Sequence, residues 1–222
     1  MKRYAVYYAP EAGPFATAAA SWLGWDPAKG SVVPQPELGL DLPALTTDPR
    51  KYGFHGTLKP PFRLADGRTP ADLSAAIATL TRKLPMLQMT GLSFLDLEGF
   101  LALAPQGDTT ALTDLSAEVV AQLDRFRAPS TAAEIARRHP ERLSPRQREL
   151  LDRFGYPHVM EEFRFHLTLS NHLTAAGHIR LRPLAEAHFI PHLPQPFRLS
   201  DLCLFGEAAD GRFHLLHRYP LG

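Results

Sequence analysis

Cysteine is almost missing from this chain of 222 residues, where Cys203 stands alone. An intrachain disulfide and every cysteine-based zinc site are thereby excluded. Its setting, Leu202-Cys203-Leu204-Phe205, reads as that of a small buried hydrophobe. An excess of one charge sign is missing too. Lys and Arg total 24 against 23 Asp and Glu, a formal net charge of +1. Nothing in that total implies a nucleic-acid or membrane surface, although a local basic cleft survives such averaging. No apolar run approaches the ~20 residues a membrane span needs. Met1 to Pro10 lacks the long apolar stretch of a signal peptide. A cytoplasmic protein without membrane contact is expected. Phosphate-binding G-x-x-x-x-G-K-[ST], dinucleotide-binding G-x-G-x-x-G, nucleophile-elbow G-x-S-x-G and zinc-binding H-E-x-x-H motifs are all lacking.

What is there reads as an ordinary globular chain, 45% hydrophobic and 21% charged. Arg3 to Ala9 reads as a strand and Phe15 to Leu23 as a helix ended by Gly24. Residues 26–50, with five prolines, read as loop. Tyr52 to Lys59 reads as a strand stopped by Pro60-Pro61. Thr69, Pro70 and Asp72 start a helix with the apolar stripe Leu73, Ile77, Leu80 and Leu84. Strands at Leu92–Leu97 and Gly99–Ala104 follow, then a helix over Asp108–Phe126. Residues 129–160 read as a charged helical insertion, in which Ser144, Pro145 and Gln147 open a helix. Phe163–Ser170 is a strand, and a helix bent near Pro183 occupies Gly177–His192. A hairpin of Leu199–Phe205 and Arg212–Tyr219 ends the pattern.

A tetrapeptide occurs twice: His55-Gly56-Thr57-Leu58 and His166-Leu167-Thr168-Leu169. Each copy is followed by a helical segment, a Leu-Ser strand start and a hairpin. From histidine to Leu-Ser the offset is 37 residues in the first copy and 33 in the second. A duplication is implied. We expect one bilobal domain over 1–222, with a first-motif lobe centred on 50–106, the insertion at about 129–160 and a second-motif lobe centred on 161–219.

Alternate side chains of a strand share a face. His55, Thr57 and Lys59 are therefore expected together, as are Arg164, His166, Thr168 and Ser170. A pair of imidazoles can hold base and acid roles at once near neutral pH. The threonines can donate to phosphate oxygens, and Lys59 and Arg164 can balance transition-state charge. No metal or other cofactor is called for. A lone H-x-T in a strand usually carries a structural histidine; two on matched strands shift the reading to catalysis. Arg63 follows within reach of the cleft. Tyr7 and Tyr219 could stack on a base or sugar, with core packing as the competing reading. His188 and His192 have the spacing of a zinc pair, but Pro191 and the lack of a third ligand favour a solvated face. His172 could border the site.

The paired H-x-T-L motifs resemble those of the 2H phosphoesterase superfamily. Phe54 to Phe62, Gly155-Tyr156-Pro157 and Phe163 to Leu169 resemble a bacterial branch of unknown activity associated with phosphonate utilisation. The resemblance spans nearly the whole chain. It implies an α+β bilobal fold, with two pseudo-symmetric antiparallel sheets around a central cleft. It implies His55 and His166 as acid and base, with Thr57 and Thr168 on the phosphate. The expected partner is a small phosphorylated substrate, a cyclic nucleotide or sugar phosphate, or else an RNA end, and the expected state is a monomer. The competing function is a module that binds a phosphorylated sugar, nucleotide or RNA end without chemistry.

Overall fold

The computed structural model describes all residues, Met1–Gly222. In chain order its elements are β1 (Tyr4–Tyr8), α1 (Pro14–Leu23), β2 (Trp25–Asp26), β3 (Ser31–Val32), α2 (Leu42–Leu45), α3 (Thr47–Tyr52), β4 (Gly56–Phe62) and α4 (Pro70–Thr81). Then come β5 (Leu87–Met89), β6 (Gly91–Leu97), β7 (Phe100–Gln106), α5 (Thr110–Leu123), α6 (Ala132–Ala136) and α7 (Pro145–Phe154). The chain continues with β8 (Leu167–His172), α8 (Ala175–Phe189), β9 (Phe197–Leu199), β10 (Asp201–Glu207) and β11 (Phe213–Pro220). No helix is long and apolar enough to cross a membrane.

The start signals read from the sequence operate as expected. At α4 the Thr69 side chain accepts from the Asp72 amide while Asp72 accepts from the Thr69 amide, and Ser144 with Gln147 does the same at α7. Other boundaries differ. Residues 42–52, expected as loop and then strand, form α2 and α3. Asp41 caps the first, and Asn171 of β8 tethers the second by accepting from the Asp48 amide at 2.9 Å. Gly53 then turns the chain with φ 73, where a Cβ would meet the Pro27 ring at 2.5 Å. β4 runs through Pro60-Pro61 instead of stopping before them. It pairs with β8 only at Gly56–Leu167, so no partner on that side needs the missing amides. α8 continues through Pro183.

The architecture is α+β. Seven strands order as β11-β10-β1-β4-β8-β7-β6, and all neighbouring pairs are antiparallel. The sheet is two halves, one of four strands and one of three, meeting at the single Gly56–Leu167 pair. The short β5–β9 ladder pairs segments from the two copies of the repeat. One face buries the main core, including Val6, Leu58, Leu167 and Leu169 with Leu73, Leu115, Leu181 and Phe189 of the helices. A smaller cluster of Ala5, Tyr7, Ala9, Cys203, Phe205 and Phe213 is separate from that core.

The two copies are exchanged. β4, with the first motif, joins the β10–β11 half, whose hairpin follows the second motif. β8, with the second motif, joins β6 and β7, the hairpin that follows the first. Lobes centred on 50–106 and 161–219 are therefore not the halves of this sheet. A linear reading misses the exchange because α4 and α8 each carry the chain across to the opposite half.

Candidate active site

Gly56 opposite Leu167 fixes the register where the halves meet. One residue to either side, His55 falls opposite Thr168 and Thr57 opposite His166. The histidines are thus diagonal neighbours, a relation that spans roughly 7–8 Å in an antiparallel pair and leaves room for a phosphate. Gly56 makes this approach possible. A Cβ there would lie 2.3 Å from the Phe165 ring. Phe165 is itself packed in the core against Tyr8 and Phe197, with ring centroids at about 6.0 Å in both cases. Gly56→Val is expected to cost about 1–3 kcal/mol through overpacking and to lower the melting temperature by several degrees; an unchanged melting curve would show that the ring moves aside freely.

Both histidines are held the same way. Nδ1 of His55 lies 2.8 Å from the Gly53 carbonyl, and Nδ1 of His166 lies 2.8 Å from the Arg164 carbonyl. A carbonyl can only accept, so Nδ1 carries the proton in each ring and Nε2 presents a lone pair. Neither Nε2 has a protein partner, and neither is sealed from solvent. Tyr7 lies behind His55 at 4.0 Å and Tyr52 at 5.6 Å, while Phe100 lies 5.5 Å from His166. Burial pushes the His55 pKa down to about 4, and the nearby charge of His166 pushes the same way. Burial also lowers the His166 pKa, against the pull of Glu98. Both rings are therefore neutral at pH 7 in the free protein.

A cavity of ≈ 280 Å³ opens on Thr57 and His166, with Arg164, Tyr156 and His158 in its wall. Arg164 is exposed and has no carboxylate partner. His55 and Thr168 do not line this cavity and join it only through the shared register. Glu98 reaches the rim from the β6–β7 turn, where it holds a left-handed φ of 51.

Other expected residues sit elsewhere. Lys59 does not share the face of His55 and Thr57. Tyr7 pairs with Thr57 and Val6 with Lys59, so Leu58 is the extra residue of a bulge that turns Lys59 to the core face of Val6. There it is 1% exposed and bonded to Asp124 at 3.2 Å and the Val120 carbonyl at 3.3 Å. Ser170 is likewise buried: the β7–β8 ladder shifts register before it, and its hydroxyl accepts from the Leu101 amide. Arg63 forms a two-point ion pair with Glu134 beside a second cavity. Tyr7 is 1% exposed and backs His55 instead of meeting a ligand.

Tyr219 donates to or accepts from Ser74 in the core. His188 bonds the Ala18 carbonyl through Nε2 and packs on Trp22, a structural role. His172 packs on Phe100 outside the cavity wall. Tyr156 and His158 were not expected at the site. The insertion delivers them, and no periodicity signals where such a segment folds back.

The family model described as "Protein of unknown function (DUF1045)" matches residues 57–214. Two curated relatives are described as ribose 1,5-bisphosphate phosphokinase PhnN. That of Janthinobacterium sp. (strain Marseille) is 38% identical over 220 residues, 95% of this chain and 49% of that protein. That of Laribacter hongkongensis (strain HLHK9) is 35% identical over 214 residues, 94% of this chain and 49% of that protein. The chain thus spans about half the length of these relatives. Among solved structures, one described as a phosphoesterase is 14% identical with TM-score 0.45, covering 99% of this chain and 98% of that one. E. coli LigT complexed with 3′-AMP is 15% identical with TM-score 0.46, covering 99% and 98%. At those values the likeness bears on no residue of the site.

Proposed function

The chain belongs to the DUF1045 family, and from its paired histidines we propose that it is a phosphoesterase hydrolysing a cyclic phosphodiester of a ribose phosphate or nucleotide. The observation that carries this reading is the matched pair of rings, each tied through Nδ1 to the carbonyl two residues back and each with a free Nε2. The relatives' name contains a bisphosphorylated ribose, which fits a sugar phosphate as substrate.

His55, with the lower pKa, is the base. Its Nε2 takes a proton from water as the water oxygen bonds to phosphorus. His166 is the acid. A bound phosphate raises its pKa, and it gives its proton to the sugar oxygen as the P–O bond of the ring breaks. Thr57 and Thr168 donate to the non-bridging oxygens, and Arg164 offsets the added charge. Lys59 takes no part in this scheme, since its charge is engaged behind the strand.

The test is product analysis of 2′,3′-cyclic nucleotides and ribose cyclic phosphates incubated with the protein in EDTA. Turnover to the monoester in EDTA is expected. Loss of turnover in EDTA with recovery on adding zinc refutes the two-histidine scheme; binding with no turnover of any cyclic phosphate favours the non-catalytic module. The productive free form has His55 neutral and His166 protonated. The kcat/KM profile is therefore a bell whose acid limb falls near pH 4 and whose alkaline limb, set by the lowered pKa of His166, lies on the acid side of an ordinary histidine.

A further inference from the structure

Beside the histidine cavity lies a second one of ≈ 330 Å³, walled by Arg3, Lys59, Arg63, Arg127, Arg137 and Arg138. Three carboxylates answer these six cations. Glu207 pairs with Arg3, Glu134 with Arg63, and Asp124 is shared by Lys59 and Arg127. Arg137 and Arg138 have no carboxylate partner. Arg137 spends Nε on the Ala133 carbonyl at 3.2 Å and keeps its terminal nitrogens free. The Ser130 hydroxyl in the same wall is also without a protein hydrogen bond.

The two cavities adjoin. Pro60 lines both. Arg138 lies 4.5 Å above the ring of Tyr156, which walls the histidine cavity. Tyr52 lines the cationic cavity and packs 5.6 Å from His55.

We propose that the cationic cavity is a second anion site, which binds a terminal phosphomonoester on the same molecule whose phosphodiester meets the histidines. The inference rests on the phosphoesterase reading and narrows it to sugars carrying two separate phosphates. Guanidinium groups suit a phosphomonoester because each offers paired donors to its oxygens. The helical insertion supplies Ser130, Arg137 and Arg138, so it acts as the reader of the second phosphate.

The experiment compares adenosine 2′,3′-cyclic phosphate with and without a 5′-phosphate. The 5′-phosphorylated compound is expected to show a kcat/KM about ten- to a hundredfold higher, the worth of one or two charge-assisted hydrogen bonds. In Arg137→Ala/Arg138→Ala that ratio falls toward one, while the remote Arg198→Ala keeps it. Equal kcat/KM for the two compounds, or a ratio unchanged in the double variant, overturns the proposal. So does a clear preference for a cyclic-phosphate-ended oligonucleotide over the phosphorylated mononucleotide, which would assign the cations to RNA. Calorimetric titration of the His55→Ala/His166→Ala protein with ribose 5-phosphate separates this site from the catalytic reading. Binding there that is lost with Arg137 and Arg138 supports the site even where no cyclic phosphate is cleaved. Absence of binding refutes it.

Discussion

His55→Ala and His166→Ala are each expected to lower kcat on a cyclic phosphodiester by about a hundred- to ten-thousandfold, the usual contribution of one positioned acid or base. Neither change should unfold the chain, because both rings touch solvent and their Nε2 atoms bond nothing in the protein. Circular dichroism and a melting curve check that point. The two losses are separable by leaving group. From a p-nitrophenyl phosphodiester the p-nitrophenolate leaves without help from an acid, so His166→Ala should recover most of its rate on that substrate. His55→Ala should not, since attack by water still needs a base. The reverse pattern would exchange the roles of the two residues. Rates within threefold of the parent for either variant would remove that histidine from the chemistry.

The second large effect concerns stability. Asp124 is the carboxylate that answers the buried Lys59 ammonium, and it also holds Arg127 at 2.8 Å. Its own burial is outweighed by hydrogen bonds and charge from these two cations, so its pKa is lowered. Asp124→Ala leaves an uncompensated charge under the sheet and is expected to cost about 3–5 kcal/mol, read by urea denaturation. Lys59→Met removes the charge with the pair and should be far milder, neutral or stabilising. A cost for Asp124→Ala below about 1 kcal/mol would mean that water reaches Lys59. The pH dependence gives a second readout. Burial lowers the Lys59 pKa from 10.5 to about 8, so between those values the unfolded chain binds more protons. This group's contribution therefore favours folding increasingly as pH rises from about 8 to 10.5. Lys59→Met should flatten that part of the stability curve.

The histidines were legible because a repeated tetrapeptide survives in sequence whatever the fold does around it. So were α4 and α7, whose capping side chains bond within three residues of each other. Lys59 was misread for a definable reason. Parity along a strand holds until one residue is inserted, and Leu58 is that residue. A bulge is a property of two strands, so β4 alone does not display it. α2 and α3 escaped notice because helices of four and six residues are too short for periodicity, and Pro43 and Pro49 in their first turns read as loop. The exchange of hairpins between motifs was invisible because it depends on pairing between distant segments.

That exchange constrains the order in which the chain acquires its fold. The strand that presents His55 completes its half of the sheet only with residues 201–220, and the one that presents His166 waits beside a hairpin made long before it. Neither repeat can mature by itself into a working half. Folding is therefore dominated by distant contacts and should be slow for a protein of this size. A nascent chain stalled before β10 would hold both histidine motifs while the half that carries His55 lacks two of its four strands.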